Sequence, residues 1–184
     1  MIVLIIVIVI VALLAIYAVV SYNGLIRGRN QVENSWSQID VQLKRRIDLI
    51  PNLVETVKAY AAHEKDTLDA VIRARNAAIA APATPAGQAE ANNQVTGALR
   101  QLFALSESYP DLKANQNFLA LQEELTATEG RVAYARQFYN DSVLGYNNKL
   151  QAFPTVFYAK MLKFDKREYF EADEAAREVP KVQF

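Results

Sequence analysis

The sequence predicts an all-α protein: an N-terminal transmembrane helix continuing into a long kinked helix, with an antiparallel up-and-down helical bundle of about four helices. Three observations lead there. An uninterrupted apolar run opens the chain from Ile2 to Val20. Beyond it, apolar residues recur every three or four positions, the period of a helix that buries one face. No segment sustains the two-residue alternation of a half-buried strand.

At ~1.5 Å per residue the apolar run covers roughly 28 Å, close to the ~30 Å hydrocarbon core of a bilayer. In lipid every backbone group must be satisfied internally, so the run is expected to be helical despite its many β-branched residues. A cleaved signal peptide would need a basic leader, a shorter apolar core and a small-residue cleavage site. Here Met1 is followed directly by apolar residues, and Val19-Val20-Ser21 fits such a site poorly. An uncleaved anchor is the expectation. No face of the run is polar, which argues against a helix buried in a soluble core. Nothing cationic except the α-amino group precedes the span, whereas Arg27, Arg29, Lys44, Arg45 and Arg46 follow it. The positive-inside bias therefore places the N-terminus outside and the bundle in the cytoplasm. With only Met1 or so outside, no extracellular sensor domain is expected.

After the span, Leu25, Val32, Trp36, Ile39, Leu43, Ile47, Ile50, Val54, Val57, Ala61, Leu68, Val71 and Ala78 trace one apolar stripe along a very long helix. Pro51 interrupts its hydrogen-bond ladder. Either it kinks the helix or it is the first residue of a new one, and continuity of the stripe favours the kink. Ala81 to Gly87, with two prolines and a glycine, is the clearest break, and Thr84-Pro85 reads as an N-cap followed by proline at the first helical position. A second helix then runs to about Ser108, burying Val95, Leu99, Leu102 and Phe103, with Leu105 as a further candidate. Ser108-Tyr109-Pro110 is the next stop and restart. The third helix extends to about Ala152 through Leu112, Phe118, Leu121, Leu125, Val132, Tyr139, Val143, Tyr146 and Leu150. Phe153-Pro154 ends it, and a short last helix carries Val156, Phe157, Met161, Leu162 and Phe164. The organisation expected is an anchor at 1–21, a helical stalk at 22–34 projecting toward the membrane, a bundle at 35–170 and a charged tail at 171–184.

Composition narrows the chemistry. There are 20 Lys+Arg against 20 Asp+Glu, so no net basic field steers the protein onto nucleic acid, and no nucleic-acid partner is expected. Cysteine is absent, which excludes disulfides, thiolate catalysis and Cys-based metal sites, and the one histidine cannot build a multi-histidine site within a subunit. No cofactor is expected.

The segment from Asn30 through Val54, containing Trp36, Asp40, Lys44-Arg45-Arg46 and Pro51-Asn52, closely resembles the signature of the LemA family of bacterial membrane proteins. So do Tyr60-Ala61-Ala62-His63-Glu64, Ser108-Tyr109-Pro110-Asp111-Leu112-Lys113-Ala114-Asn115, and Asn117-Phe118 with Leu121-Gln122. Further matches are Thr128-Glu129, Ala135-Arg136 with Tyr139-Asn140, and Phe153-Pro154. The resemblance runs in order over nearly the whole chain from Tyr22 onward. It implies a single-pass protein of the bacterial inner membrane with an up-and-down bundle, and carries over no catalytic residue.

The residues singled out are therefore structural or interaction candidates: Trp36, Asp40, Arg46, Pro51, Asn52, Glu64 and Arg136. Arg29, Glu64 and Arg75 fall where the stripe calls for core residues. An unpaired charge taken out of water costs several kcal/mol, so each must find a partner or an exposed groove edge. Glu64 is expected to pair with a basic residue of another helix, Arg136 being one candidate, or else to lie at a groove edge. His63-Glu64 begins like a zinc-protease helix, but Thr67 stands where the second histidine is required. Gly24-Leu25-Ile26-Arg27-Gly28 has the spacing of a close helix contact, yet lies past the apolar core and reads as local flexibility. Lys44-Arg45-Arg46 reads as a solvated, salt-bridged face, with Asp40 four residues before Lys44; the other reading is contact with anionic head groups. Tyr139-Asn140 and Tyr146-Asn147 read as packed tyrosines beside solvated asparagines, with amide ladders as the alternative.

These features favour a membrane-anchored, non-enzymatic scaffold that meets the lipid bilayer, associates with its own copies and docks protein partners not identifiable from sequence. A signalling or stress-response adaptor is the alternative. A hydrolase using Glu123, Glu124 or Glu129 ranks below both, since adjacent carboxylates on a helix point about 100° apart.

Overall fold

The computed structural model describes residues 1–170; the tail expected at 171–184 lies outside them. Among the described residues all regular structure is helical: α1 (Ile2–Lys58), α2 (Lys65–Ala80), α3 (Pro85–Ser106), α4 (Pro110–Lys113), α5 (Gln116–Gln151) and α6 (Thr155–Ala159). They divide into two compact units, one of residues 1–37 with 138–167, the other built on residues 38–137.

In the first unit the side chains of Ile2 to Val20 are all exposed. By length and composition this part of α1 is able to cross a membrane. Residues 22–34, expected as a stalk, are packed within this unit. Leu25 and Val32 are buried, and α5 runs back along α1 in antiparallel register. Trp36 meets Tyr139 at 5.6 Å between ring centroids, Gly28 lies under Tyr146, and the Ser21 hydroxyl is 3.1 Å from that of Thr155. Gly28 is thus a close-approach position within an unbroken helix rather than a flexible joint: a Cβ there would stand 3.1 Å from the Tyr146 ring. Gly24, by contrast, faces open space. Phe164 closes the unit by meeting Tyr22 edge-on at 5.7 Å.

In the second unit the expected stripe is the buried face. Ile39 and Leu43 are buried, and Ile50, Val54, Val57, Ala61, Leu68, Val71 and Ala78 form one core with Val95, Leu99, Leu102, Leu112, Phe118 and Leu125 from the later helices. The stripe does not lie on one helix, however. α1 passes through Pro51 and ends at Lys58, and α2 starts at Lys65. The intervening turn contains neither Gly nor Pro. It is closed by bonds from Ala61 N to Val57 O at 2.8 Å and from Glu64 N to Ala61 O at 3.1 Å, with Ala61 1% exposed. The apolar spacing carries on across this turn, so periodicity alone does not reveal it.

Pro51 therefore does not begin a helix. Its missing N–H leaves the Ile47 carbonyl without its intrahelical donor, and the Arg75 Nε–H of α2 donates to that carbonyl at 3.3 Å. An arginine on the apolar stripe is accounted for by a proline 24 positions earlier. The start of α3 follows the expected chemistry: Thr84 Oγ1 accepts from Gly87 N at 3.2 Å, with Pro85 at the first helical position. Proline at 110 opens only the single turn of α4. The restart that lasts is at Asn115, whose Oδ1 accepts from Phe118 N at 3.0 Å ahead of α5.

Candidate functional site

A polar cluster in the second unit is centred on Arg46. Its position in α1, three residues after Leu43 and four before Ile50, places it on the buried face, and its side chain is 3% exposed. Nη1 donates to Asn92 Oδ1 at 2.7 Å and to Thr96 Oγ1 at 2.9 Å, both on α3. Nη2 donates to Glu129 Oε2 on α5 at 2.6 Å. Thr96 donates in turn to Glu129 Oε1 at 3.4 Å. Burial lowers the guanidinium pKa, and the neighbouring Glu129 carboxylate opposes that shift only in part; an arginine side chain stays protonated in proteins, and the fork is the charged centre of a three-helix tie. Arg46 Nε has no bond among the described residues. A cavity with room for about one water is lined by Leu43, Arg46, Ile47, Ala78, Asn92 and Val95.

Of the three consecutive cations, then, only the first two behave as a solvated face. Lys44 pairs with Asp40 at 2.6 Å and Arg45 with Glu124 at 2.7 Å. Glu124 also binds Arg131 at 3.1 Å. The carboxylates weighed for hydrolysis, Glu124 and Glu129, are thus held by arginines, and Glu123 is exposed.

Glu64 is half-buried and its partner is a hydroxyl rather than a cation. Tyr109 donates to Glu64 Oε1 at 2.7 Å, and this bond holds the phenol pKa above its usual value. Arg136 lies half-buried on α5, and the pairing expected between the two is replaced by the Tyr109 bond. Beside it, Asn115 Nδ2 donates to the Tyr60 hydroxyl at 2.9 Å. The segments Tyr60–Glu64 and Tyr109–Asn115, both in the family-like motifs, are therefore two halves of one polar clasp. His63 is exposed, and Asn52, also exposed, offers its carbonyl to Thr56 Oγ1 at 2.8 Å.

In the first unit Arg29 lies over the Phe164 ring at 5.8 Å, with Nε 4.0 Å from Glu33. Tyr139 and Tyr146 are buried as expected, and burial raises the Tyr146 pKa. Asn147 is not solvated. Its amide grips the backbone of Arg167 from both sides, Nδ2 donating to the carbonyl and Oδ1 accepting from the N–H, each at 2.9 Å. Nothing in the order of residues points to this pairing across a turn of the chain; sequence reasoning missed it, as it missed the burial of Arg46.

The Arg46, Arg75, Glu64 and Asn147 side chains each join one helix or turn to another. Among the described residues no set of three His, Asp or Glu side chains is placed to hold a metal ion. Comparison with known proteins points the same way as the motifs. The chain is 26% identical to Protein LemA of Metamycoplasma hominis, over 84% of this chain and 71% of that protein. It is 24% identical to Magnetosome protein MamQ 2 of Paramagnetospirillum magneticum and 23% identical to Magnetosome protein MamQ of Magnetospirillum gryphiswaldense. Each of these matches covers 83% of this chain and 65% of the relative's own length. The family model described as LemA family matches residues 35–184, a span holding the Arg46 tie, the Glu64–Tyr109 clasp and the Asn147 grip, and the chain belongs to the LemA family.

Proposed function

We propose that the protein is a membrane-anchored, non-enzymatic interaction module whose helical units are held at the bilayer surface by Ile2–Val20 and assemble there with further copies of the chain. The observation that carries this reading is the exposure of every side chain from Ile2 to Val20 on a helix that continues, without a break, into two packed units. Nineteen exposed apolar residues have no stable place in water. Confinement to a membrane plane raises effective concentration, so weak lateral contacts suffice for assembly. The polar side chains of the second unit support a mechanical role, since Arg46, Arg75 and Glu64 are committed to holding helices in register. Flanking charge favours the inner membrane with the units in the cytoplasm. The likeness to proteins named for the magnetosome, beside one that is not, supports a module used in more than one setting.

The test is the mass of the full-length protein extracted in native lipid nanodiscs. An oligomer, with inter-copy cross-links formed before extraction, supports assembly. A strict monomer with no cross-linked species overturns it. Protein that stays monodisperse and monomeric without lipid or detergent overturns the anchor as well.

A further inference from the structure

α5 returns along α1 to the point where the apolar run ends, and what it delivers there is an apolar turn. Thr155 and Tyr158 of α6 both bond the Ser21 hydroxyl, Tyr158 as donor. Ser21 is the first residue after Val20, so α6 is fixed at the depth where α1 leaves the span. Around it Phe153 is 80% exposed, Phe157 74% and Met161 77%. Phe153 and Phe157 meet edge-on at 5.8 Å, so they form a contiguous patch rather than scattered residues. Val156 and Leu162 extend it, and both are exposed. Such a patch on a water-facing surface marks a contact site.

We infer that the Phe153–Leu162 turn is a second membrane contact, seated in the interfacial layer of the same leaflet that α1 leaves. The inference rests on Ile2–Val20 being in the membrane, and the occupant it commits to is lipid. Three observations support lipid over a protein partner. The patch is continuous with the end of the apolar run through the Ser21 bonds. Its exposed side chains are phenylalanine, methionine, valine and leucine, the apolar residues that an interfacial segment buries at the boundary of headgroups and acyl chains. Exposed Lys160 and Lys163 border it, and near an anionic surface each cation is attracted by about 1 kcal/mol. Two contacts, one spanning and one interfacial, would fix the tilt and rotation of α1, which a lone span leaves free.

The chain has no cysteine, so single labels are clean. In full-length protein in liposomes of mixed phosphatidylcholine and phosphatidylglycerol, an environment-sensitive fluorophore is placed at Phe157→Cys, Met161→Cys, Val9→Cys or Asn34→Cys, and quenching by acyl-chain-brominated lipid is read. Asn34 lies about 20 Å along α1 from Val20 at ~1.5 Å per residue and is exposed. The expected result is that labels at 157, 161 and 9 lose most of their emission and the label at 34 loses none. Labels at 157 and 161 that match position 34 while position 9 is quenched overturn the inference and leave the anchor standing. An unquenched label at 9 overturns both. Labels at 157 that escape lipid but cross-link between copies through a bis-maleimide identify a second chain as the occupant, and overturn the inference too.

Discussion

The Arg46 tie yields an asymmetry that a simple count of hydrogen bonds does not. Arg46→Met removes the buried charge and three bonds, but Asn92 and Thr96 are half-buried and the Glu129 side chain is 44% exposed, so water replaces much of what they lose. The cost is that of ordinary hydrogen bonds, about 1–2 kcal/mol. Glu129→Leu leaves the guanidinium in place with its side chain 3% exposed and no counter-charge. Breaking a buried pair from that side costs about 3–5 kcal/mol. The half-exposure of Glu129 screens its attraction, and Asn92 and Thr96 still hold Nη1, so the lower end, about 3 kcal/mol, applies. For a chain of this size 1 kcal/mol moves Tm by roughly 2–4 °C. Far-UV circular dichroism of the full-length protein in detergent should therefore show a loss of about 10 °C for Glu129→Leu and about 4 °C for Arg46→Met. In the double variant Arg46→Met with Glu129→Leu, part of the Glu129→Leu loss is recovered. An Arg46→Met protein less stable than Glu129→Leu would refute the assignment of Arg46 as the buried, dependent partner.

Three further outcomes follow from the geometry. If Arg75 serves the carbonyl that Pro51 orphans, Arg75→Met costs about 1 kcal/mol in the native chain and close to nothing in a Pro51→Ala background, where the backbone N–H is restored; equal costs in urea melts of both backgrounds would break the link. The Tyr109 phenol, held above its usual range by Glu64, favours folding while neutral, so its contribution is full below the ordinary value of about 10 and fades as pH climbs through the raised one; the stability gap between native and Tyr109→Phe protein should shrink over that alkaline window, and a gap that widens contradicts the bond. Gly24→Ala should gain about 0.5–1 kcal/mol as a helix-interior glycine with open space beside it, whereas Gly28→Val drives methyl groups into Tyr146 and costs about 1–3 kcal/mol; thermal melts showing the two alike would mean that α5 does not approach at Gly28.

Solvent preference and local backbone chemistry were readable in one dimension. The apolar run, the helical period, most of the apolar residues that face inward and the Thr84-Pro85 start depend on near neighbours in the chain, and the structure agrees with them; Met161 and Leu162, expected on the short last helix, lie beyond α6 and are exposed. What the sequence left undetermined are events that need two distant segments. The turn after Lys58 has no Gly or Pro and keeps the apolar spacing, so only the burial of Ala61 and the docking of α2 on α3 decide it. Arg46 is written between Arg45 and Asp48 like a surface residue, and becomes the centre of a tie because Asn92, Thr96 and Glu129 arrive from two other helices. Glu64 drew attention as a misplaced charge, but its partner is a tyrosine 45 residues away, which charge pairing would not nominate. A polar group's burial is settled by who meets it, and that is a property of the folded chain, not of its order.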